Sequence, residues 1–272
     1  MFVVSSFAAG RRVMAMAVRS DLTESGEMTM AGPLPVLETE NLFGAALREA
    51  ASAGDLVVER RGGGVHPTSL HWWLRADGAD NPVDFASIAE IAGGPVLDVG
   101  CATGRHVEAL ADRGITADGI DINPVAVAVA RENGCDTEGR DVLQADFWRF
   151  MPERRYRWLL ALGNNLGIAG RLAGLPLLLQ RFAALLVPGG QVLASSVDWN
   201  HPAVIPAGHG YPGEIQMRHR YGGRVGPWFD WLYVAPETLR LHADRAGFHC
   251  RIVERHAEVY VVVLTRNAAV AA

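Results

Sequence analysis

Val96-Leu97-Asp98-Val99-Gly100-Cys101-Ala102-Thr103-Gly104-Arg105 is the stretch on which the fold turns. An apolar run ends in an acid, and a glycine loop then opens a helix. In that order a parallel sheet presents a nucleotide-like ligand to backbone N–H groups and to one fixed carboxylate.

The flanking chain tests this reading. After strand 96–99, a helix from Arg105 to Asp112 stops at Gly114. A second strand covers Ala117 to Ile122, and Pro124 opens a helix that Gly134 ends. Further strands are expected at 141–143, 158–162 and 191–196, the last preceded by an apolar-sided helix (Leu178, Leu179, Phe182, Leu185, Leu186) and Pro188-Gly189-Gly190. Strictly alternating strands and helices predict a parallel sheet covered on both faces. The alternation breaks over residues 198–235, which are rich in Trp and Tyr and read as an inserted hairpin or lid. A helix over 236–246 follows. Strands at 250–255 and 259–265 come too close together for a parallel crossover, so they pair antiparallel.

Upstream, residues 1–33 read as a disordered or dispensable leader. Residues 34–92 read as an N-terminal appendage or lid, with a helix over 38–53, a short strand at 56–58, a Gly62-Gly63-Gly64 turn and a helix near 85–91. Residues 93–272 form the main domain, with 198–235 as its insertion.

Composition narrows the function classes. The 272 residues are 49% hydrophobic and 20% charged, with net charge −5. All 25 cationic residues are Arg, spread along the chain and outnumbered by 30 acids, which argues against a nucleic-acid surface. Cys101, Cys135 and Cys250 lack metal or redox spacing, so reduced thiols in a cytoplasm and no metal are expected. No apolar run reaches the roughly 18 residues of a membrane span, so no membrane partner is expected. The apolar Phe2 to Gly10 precedes Arg11 and Arg12, the reverse of a signal peptide.

Taken together, residues 93–266 resemble the class I S-adenosylmethionine (SAM)-dependent methyltransferases. The resemblance implies a Rossmann-like, seven-stranded, mostly parallel sheet with an antiparallel last strand and helices on both faces. It implies SAM as cofactor and S-adenosylhomocysteine (SAH) as product. Asp98 would hold the methionine amino group, and Gly100, Cys101 and Gly104 would bring the backbone to the ligand. Cys101 stands where the family often has glycine. Asp121, with Ile122, would take the ribose diol, and Asp146 with Phe147 the adenine. Leu162 and Asn164 would sit on the rim where cofactor meets substrate. The acid before the glycines, the lack of a full Gly-x-Gly-x-x-Gly and the antiparallel last strand weigh against a dinucleotide.

The acceptor side is less defined. Candidate bases are His201, His209 and Asp198, because 198–201 directly follows the fifth strand. His71, Trp72, Asn165, Trp199, Tyr211, Arg218, Trp228 and Trp231 would line the acceptor chamber, while His106 reads as structural. No Asn/Asp-Pro-Pro-Tyr run follows the fourth strand, which argues against a nucleobase nitrogen. The expected reaction is methyl transfer to oxygen or nitrogen, less readily carbon, of a small molecule in bacterial secondary metabolism. Two alternatives stay open: non-methyl-transfer chemistry such as cyclisation, and a non-catalytic SAM-binding protein. The oligomeric state is also open, a homodimer included.

Overall fold

The computed structural model describes residues 41–49, 56–74, 82–140, 142–143, 154–200 and 210–268. The leader, Asp146, Phe147, His201 and His209 therefore lie outside the described residues. The chain enters through helix α1 (Leu42–Arg48), strands β1 (Val57–Arg60) and β2 (Gly64–Pro67), and helices α2 (His71–Leu74) and α3 (Pro82–Ser87).

The main sheet then forms. Its first strand, β3 (Val96–Val99), is buried at all four positions, as expected of a central strand covered on both faces. Helix α4 (Arg105–Ala111), β4 (Ala117–Asp121), α5 (Pro124–Glu132), β5 (Thr137–Gly139) and β6 (Tyr156–Ala161) follow, then α6 (Leu175–Leu185) and β7 (Leu186–Val197). The chain leaves through β8 (Glu214–Tyr221), β9 (Arg224–Val225) and β10 (Phe229–Leu232). Helix α7 (Pro236–Arg245), β11 (Phe248–His256) and β12 (Val259–Arg266) complete it. The seven-stranded sheet has the order β11-β12-β7-β6-β3-β4-β5. Its central pairs are parallel, and β12 runs antiparallel to both neighbours, as anticipated for the last strand.

Two elements differ from expectation. The third strand is Thr137–Gly139, and residues 142–143 are in a turn. The β-branched Thr137 enters the ladder opposite Gly119, and Arg140 N–H closes it on the Asp121 carbonyl at 2.8 Å. The fifth strand starts at Leu186 and absorbs Pro188-Gly189-Gly190, with a register shift against β6 between Tyr156 and Trp158.

The larger surprise is a second sheet. Strands β1 and β2 pair with the insertion in the order β10-β8-β1-β2, all antiparallel, with β9 beside β8. The N-terminal segment and residues 214–232 are thus one structural layer. Alternation along β8 buries Ile215, Met217, His219 and Tyr221 and turns Glu214, Gln216, Arg218 and Arg220 outward. The buried face joins the same apolar core as Leu97, Val99, Leu159 and Ala161 of the main sheet. Val96, Trp158, Leu160, Leu162, Leu193 and Val261 pack in a separate layer on the opposite face.

Candidate active site

Asp98 is the penultimate residue of β3, at the topological switch between β6 and β4, and its side chain is fully buried. One oxygen, Oδ2, lies 3.2 Å from His106 Nδ1, and Oδ1 has no hydrogen-bond partner. Asn164, three residues beyond the end of β6, is as deeply buried. It adopts φ +66°, its N–H donates to Ser195 Oγ at 3.0 Å, and neither amide atom of its side chain is bonded. A buried polar group without a partner costs about 1–3 kcal/mol, so such atoms mark places where a ligand supplies the partner. A ligand with a cationic amine and further polar groups, as SAM has, fits these bare atoms.

The loop between β3 and α4 is held by the protein itself. Gly100 has φ +78°, and a Cβ there would stand 2.5 Å from Asn165 Nδ2. Gly104 has φ +83°, and its Cβ would stand 2.6 Å from Cys135 Sγ. Both glycines therefore have a nearer reason than close approach to a ligand: a left-handed backbone pressed against neighbouring side chains. Asn165, expected in the acceptor chamber, instead donates from Nδ2 to the carbonyls of Val99 and Gly100, each at 2.9 Å. It braces the loop. The Cys101 side chain packs toward Gly119 of β4, and burial, with Asp121 and Asp98 nearby, pushes its thiol pKa up.

Asp121 ends β4, with Ile122 half-buried beside it. Its carboxylate accepts from Ala102 N–H at 2.9 Å and Asn123 N–H at 2.8 Å. Burial raises its pKa to about 6 against the lowering effect of those donors. Leu162, expected on the rim, is packed in the layer with Trp158 and Leu193 because its side chain shares their face of the sheet.

On the acceptor side, the structure separates the candidates by sheet face. Arg218 makes a bidentate pair with Glu59, both bonds 2.9 Å, and lies 4.3 Å from the Trp228 ring centroid. This cluster is on the outward face of the second sheet, so Arg218 and Trp228 line no inner chamber. Trp231 is on the inward face, against the 3-10 turn Asn165–Ala169. Trp199 Nε1 donates to Tyr211 Oη at 2.6 Å, and that oxygen accepts from Ala235 N–H, so the two rings pin together the ends of the insertion. Asp198 accepts from Asn200 N–H and pairs with Arg255 at 3.4 Å, a turn-capping role rather than that of an unengaged base. His71 is exposed, and Trp72 stacks on the Arg105 guanidinium at 4.1 Å.

Several residues on this face had escaped sequence reading. His219 is buried between Phe43 (5.5 Å, stacked) and Phe229 (5.2 Å), and burial lowers its pKa to about 3, so it is neutral. Its alternation within β8 was the available signal. Buried Arg105 donates to the Trp72 carbonyl and lies 3.8 Å from Asp84, which in turn accepts from Gly163 N–H at 2.7 Å. Thr103 Oγ1 donates to the Trp73 carbonyl. The N-terminal segment thus grips the glycine loop through tertiary contacts that no local spacing encodes.

Residues 96–190 match the family model described as a methyltransferase domain. The ubiquinone biosynthesis O-methyltransferase of Pseudomonas entomophila (strain L48) is 32% identical over 148 residues, covering 50% of this chain and 62% of that protein. The dTDP-3-amino-3,6-dideoxy-alpha-D-glucopyranose N,N-dimethyltransferase of Streptomyces fradiae is 29% identical over 121 residues, covering 44% of this chain and 46% of that one. The chain thus spans about half to three fifths of these curated relatives. Among solved structures, a SAM-dependent methyltransferase from Bacteroides fragilis in complex with SAH is similar at 28% identity and TM-score 0.74. That match covers 87% of this chain and 98% of the other. The sugar N-methyltransferase KedS8 from Streptoalloteichus sp ATCC 53650 shares the fold, with 16% identity, TM-score 0.52 and coverage of 90% and 99%. Residues 96–190 are thus a methyltransferase domain, and the findings together support a class I SAM-dependent methyltransferase with S-adenosylmethionine as cofactor.

Proposed function

We propose that this protein transfers the methyl group of SAM to an oxygen or nitrogen of a small molecule. The observation that carries the reading is the bare, fully buried Oδ1 of Asp98 on β3 at the switch point of the sheet, with the equally buried bare amide of Asn164 following the neighbouring strand β6. When bound, SAM supplies an electrophilic methyl on a sulfonium. Asp98 would receive the amino end of the cofactor and Asp121 its ribose, with Gly100, Cys101, Gly104 and Ile122 forming the loop walls. Asp146 and Phe147 are assigned to the adenine from sequence alone. Asn164 would lie between donor and acceptor.

The acceptor side in this reading is built on the second sheet, whose inward face, with Trp231, His219, Phe229, Phe43 and Trp73, is packed into the core and anchors that layer to the main sheet. Residues 34–92 and 198–235 would act as one acceptor-side unit. Alignment and exclusion of water by this layer can lower the barrier by several kcal/mol without a strong base. A proton on the acceptor would go to a base from the 201–209 segment, His201 or His209. A small-molecule acceptor is supported by the relatives, one named for ubiquinone biosynthesis and one for an amino sugar. No helix among the described residues is long and apolar enough to cross a membrane. The unpaired Cys101, Cys135 and Cys250 suit a reducing compartment, and a place in the cytoplasm and in secondary metabolism is part of this proposal.

The test is incubation with SAM and a panel of phenols, catechols and amino sugars, followed by mass spectrometry. An acceptor gaining 14 mass units (one CH₂) with matching SAH release is the expected result. Binding of SAM without turnover across a broad panel would favour the non-catalytic reading, and products other than SAH the non-methyl-transfer one.

A further inference from the structure

We propose that His106 is a positioning residue for the amino-acid end of the cofactor, acting with Asp98 as one unit. The inference rests on the SAM reading above. His106 lies in the first turn of α4, is 4% exposed, and is flanked by the Phe85 ring at 5.4 Å. Its Nδ1 is 3.2 Å from Asp98 Oδ2, and its Nε2 is buried without a partner.

A carboxylate only accepts, so Nδ1 carries a proton and donates to Asp98 Oδ2, which leaves Asp98 Oδ1 as the bare acceptor of the pair. Arg105, next along the chain, interacts electrostatically with Asp98, but its guanidinium pairs with Asp84 and stacks on Trp72 and makes no hydrogen bond to Oδ1. A buried carboxylate with one unfilled oxygen calls for a compact cationic donor, which the α-ammonium of an amino acid is. His106 fixes the rotation of the Asp98 carboxylate so that Oδ1 is turned to that ammonium.

Calorimetry on the full chain with two probes tests this. SAH carries the amino-acid end and 5′-methylthioadenosine lacks it, while both share the nucleoside. His106→Phe keeps the ring volume and removes both nitrogens. It should weaken SAH by about tenfold or more and leave 5′-methylthioadenosine within about twofold. His106→Asn, whose amide can still donate to Asp98, should keep SAH affinity closer to wild type than His106→Phe does. Equal losses for both probes in both variants would mean a purely structural role and overturn the proposal, as would unchanged SAH affinity. Failure of the wild-type chain to bind either probe would instead overturn the cofactor reading itself, and this proposal with it.

Discussion

The side-chain amides of Asn41 and Asn123 bond each other reciprocally: Asn41 Nδ2 donates to Asn123 Oδ1 at 2.7 Å, and Asn123 Nδ2 to Asn41 Oδ1 at 3.0 Å. Each also caps a helix. Asn41 Oδ1 accepts from Gly44 N–H of α1, and Asn123 Oδ1 from Val125 and Ala126 N–H of α5. One pair of amides therefore starts two helices and ties the N-terminal segment to the loop after Asp121.

Asn123→Ala removes two cap bonds and strands the Asn41 amide, so it should cost about 2 kcal/mol of stability. Because the two sites share their bonds, the loss in the Asn41→Ala/Asn123→Ala double variant should fall short of the sum of the singles by about 1 kcal/mol. Urea unfolding of the four proteins measures this. Strict additivity would show the pair to be energetically idle.

Asp121, raised to about 6 by burial, is partly protonated in mildly acid solution. Bonds from a ribose diol favour the ionised carboxylate, so SAM binding should release a proton at pH near 5.5. Affinity should then rise with pH until about 6 and level off above it. Asp121→Asn should weaken binding about tenfold and flatten this profile, as read by titration across pH 5 to 8.

His219 predicts an acid sensitivity. Its folded pKa, lowered to about 3 by burial, lies below the ordinary value of 6.5, so the unfolded chain binds the proton more readily. The stability it contributes is complete above about 6.5 and is lost as pH falls toward 3. His219→Phe keeps the stack on Phe43 and Phe229 and removes the titration. The acid-unfolding midpoint should move down by about half a pH unit or more. An unchanged midpoint would mean that other groups govern acid unfolding.

Gly167 separates packing from backbone freedom, because a Cβ there would lie 2.0 Å from Trp231 Nε1 without any positive φ. Gly167→Ala should cost about 3 kcal/mol by displacing Trp231 from the turn beneath it. Trp231→Leu in the same chain should recover part of that loss, which thermal unfolding of both variants would reveal. No recovery would locate the strain elsewhere.

The main sheet was legible because its signals are local. An apolar strand, an acid, positive-φ glycines and Pro124 after Asn123 each act within a few residues, and the site acids Asp98 and Asp121 follow from where strands end. The third strand was misplaced because Thr137-Glu138-Gly139 has little apolar character, and its pairing with β4 alone makes it a strand.

What the sequence determined by itself is the donor half of this protein: the parallel sheet, its switch point and the acids beside it, all set by period and turn chemistry. Only the tertiary structure decided the other half. Strand β1 pairs with β8 some 160 residues away, Glu59 facing Arg218, and that pairing turns Arg218 and Trp228 to solvent and His219 and Trp231 to the core. The period-2 alternation of β8 gives two faces but no inside. A face becomes the inside only when a distant segment covers it, and contacts between distant segments leave no spacing in the chain.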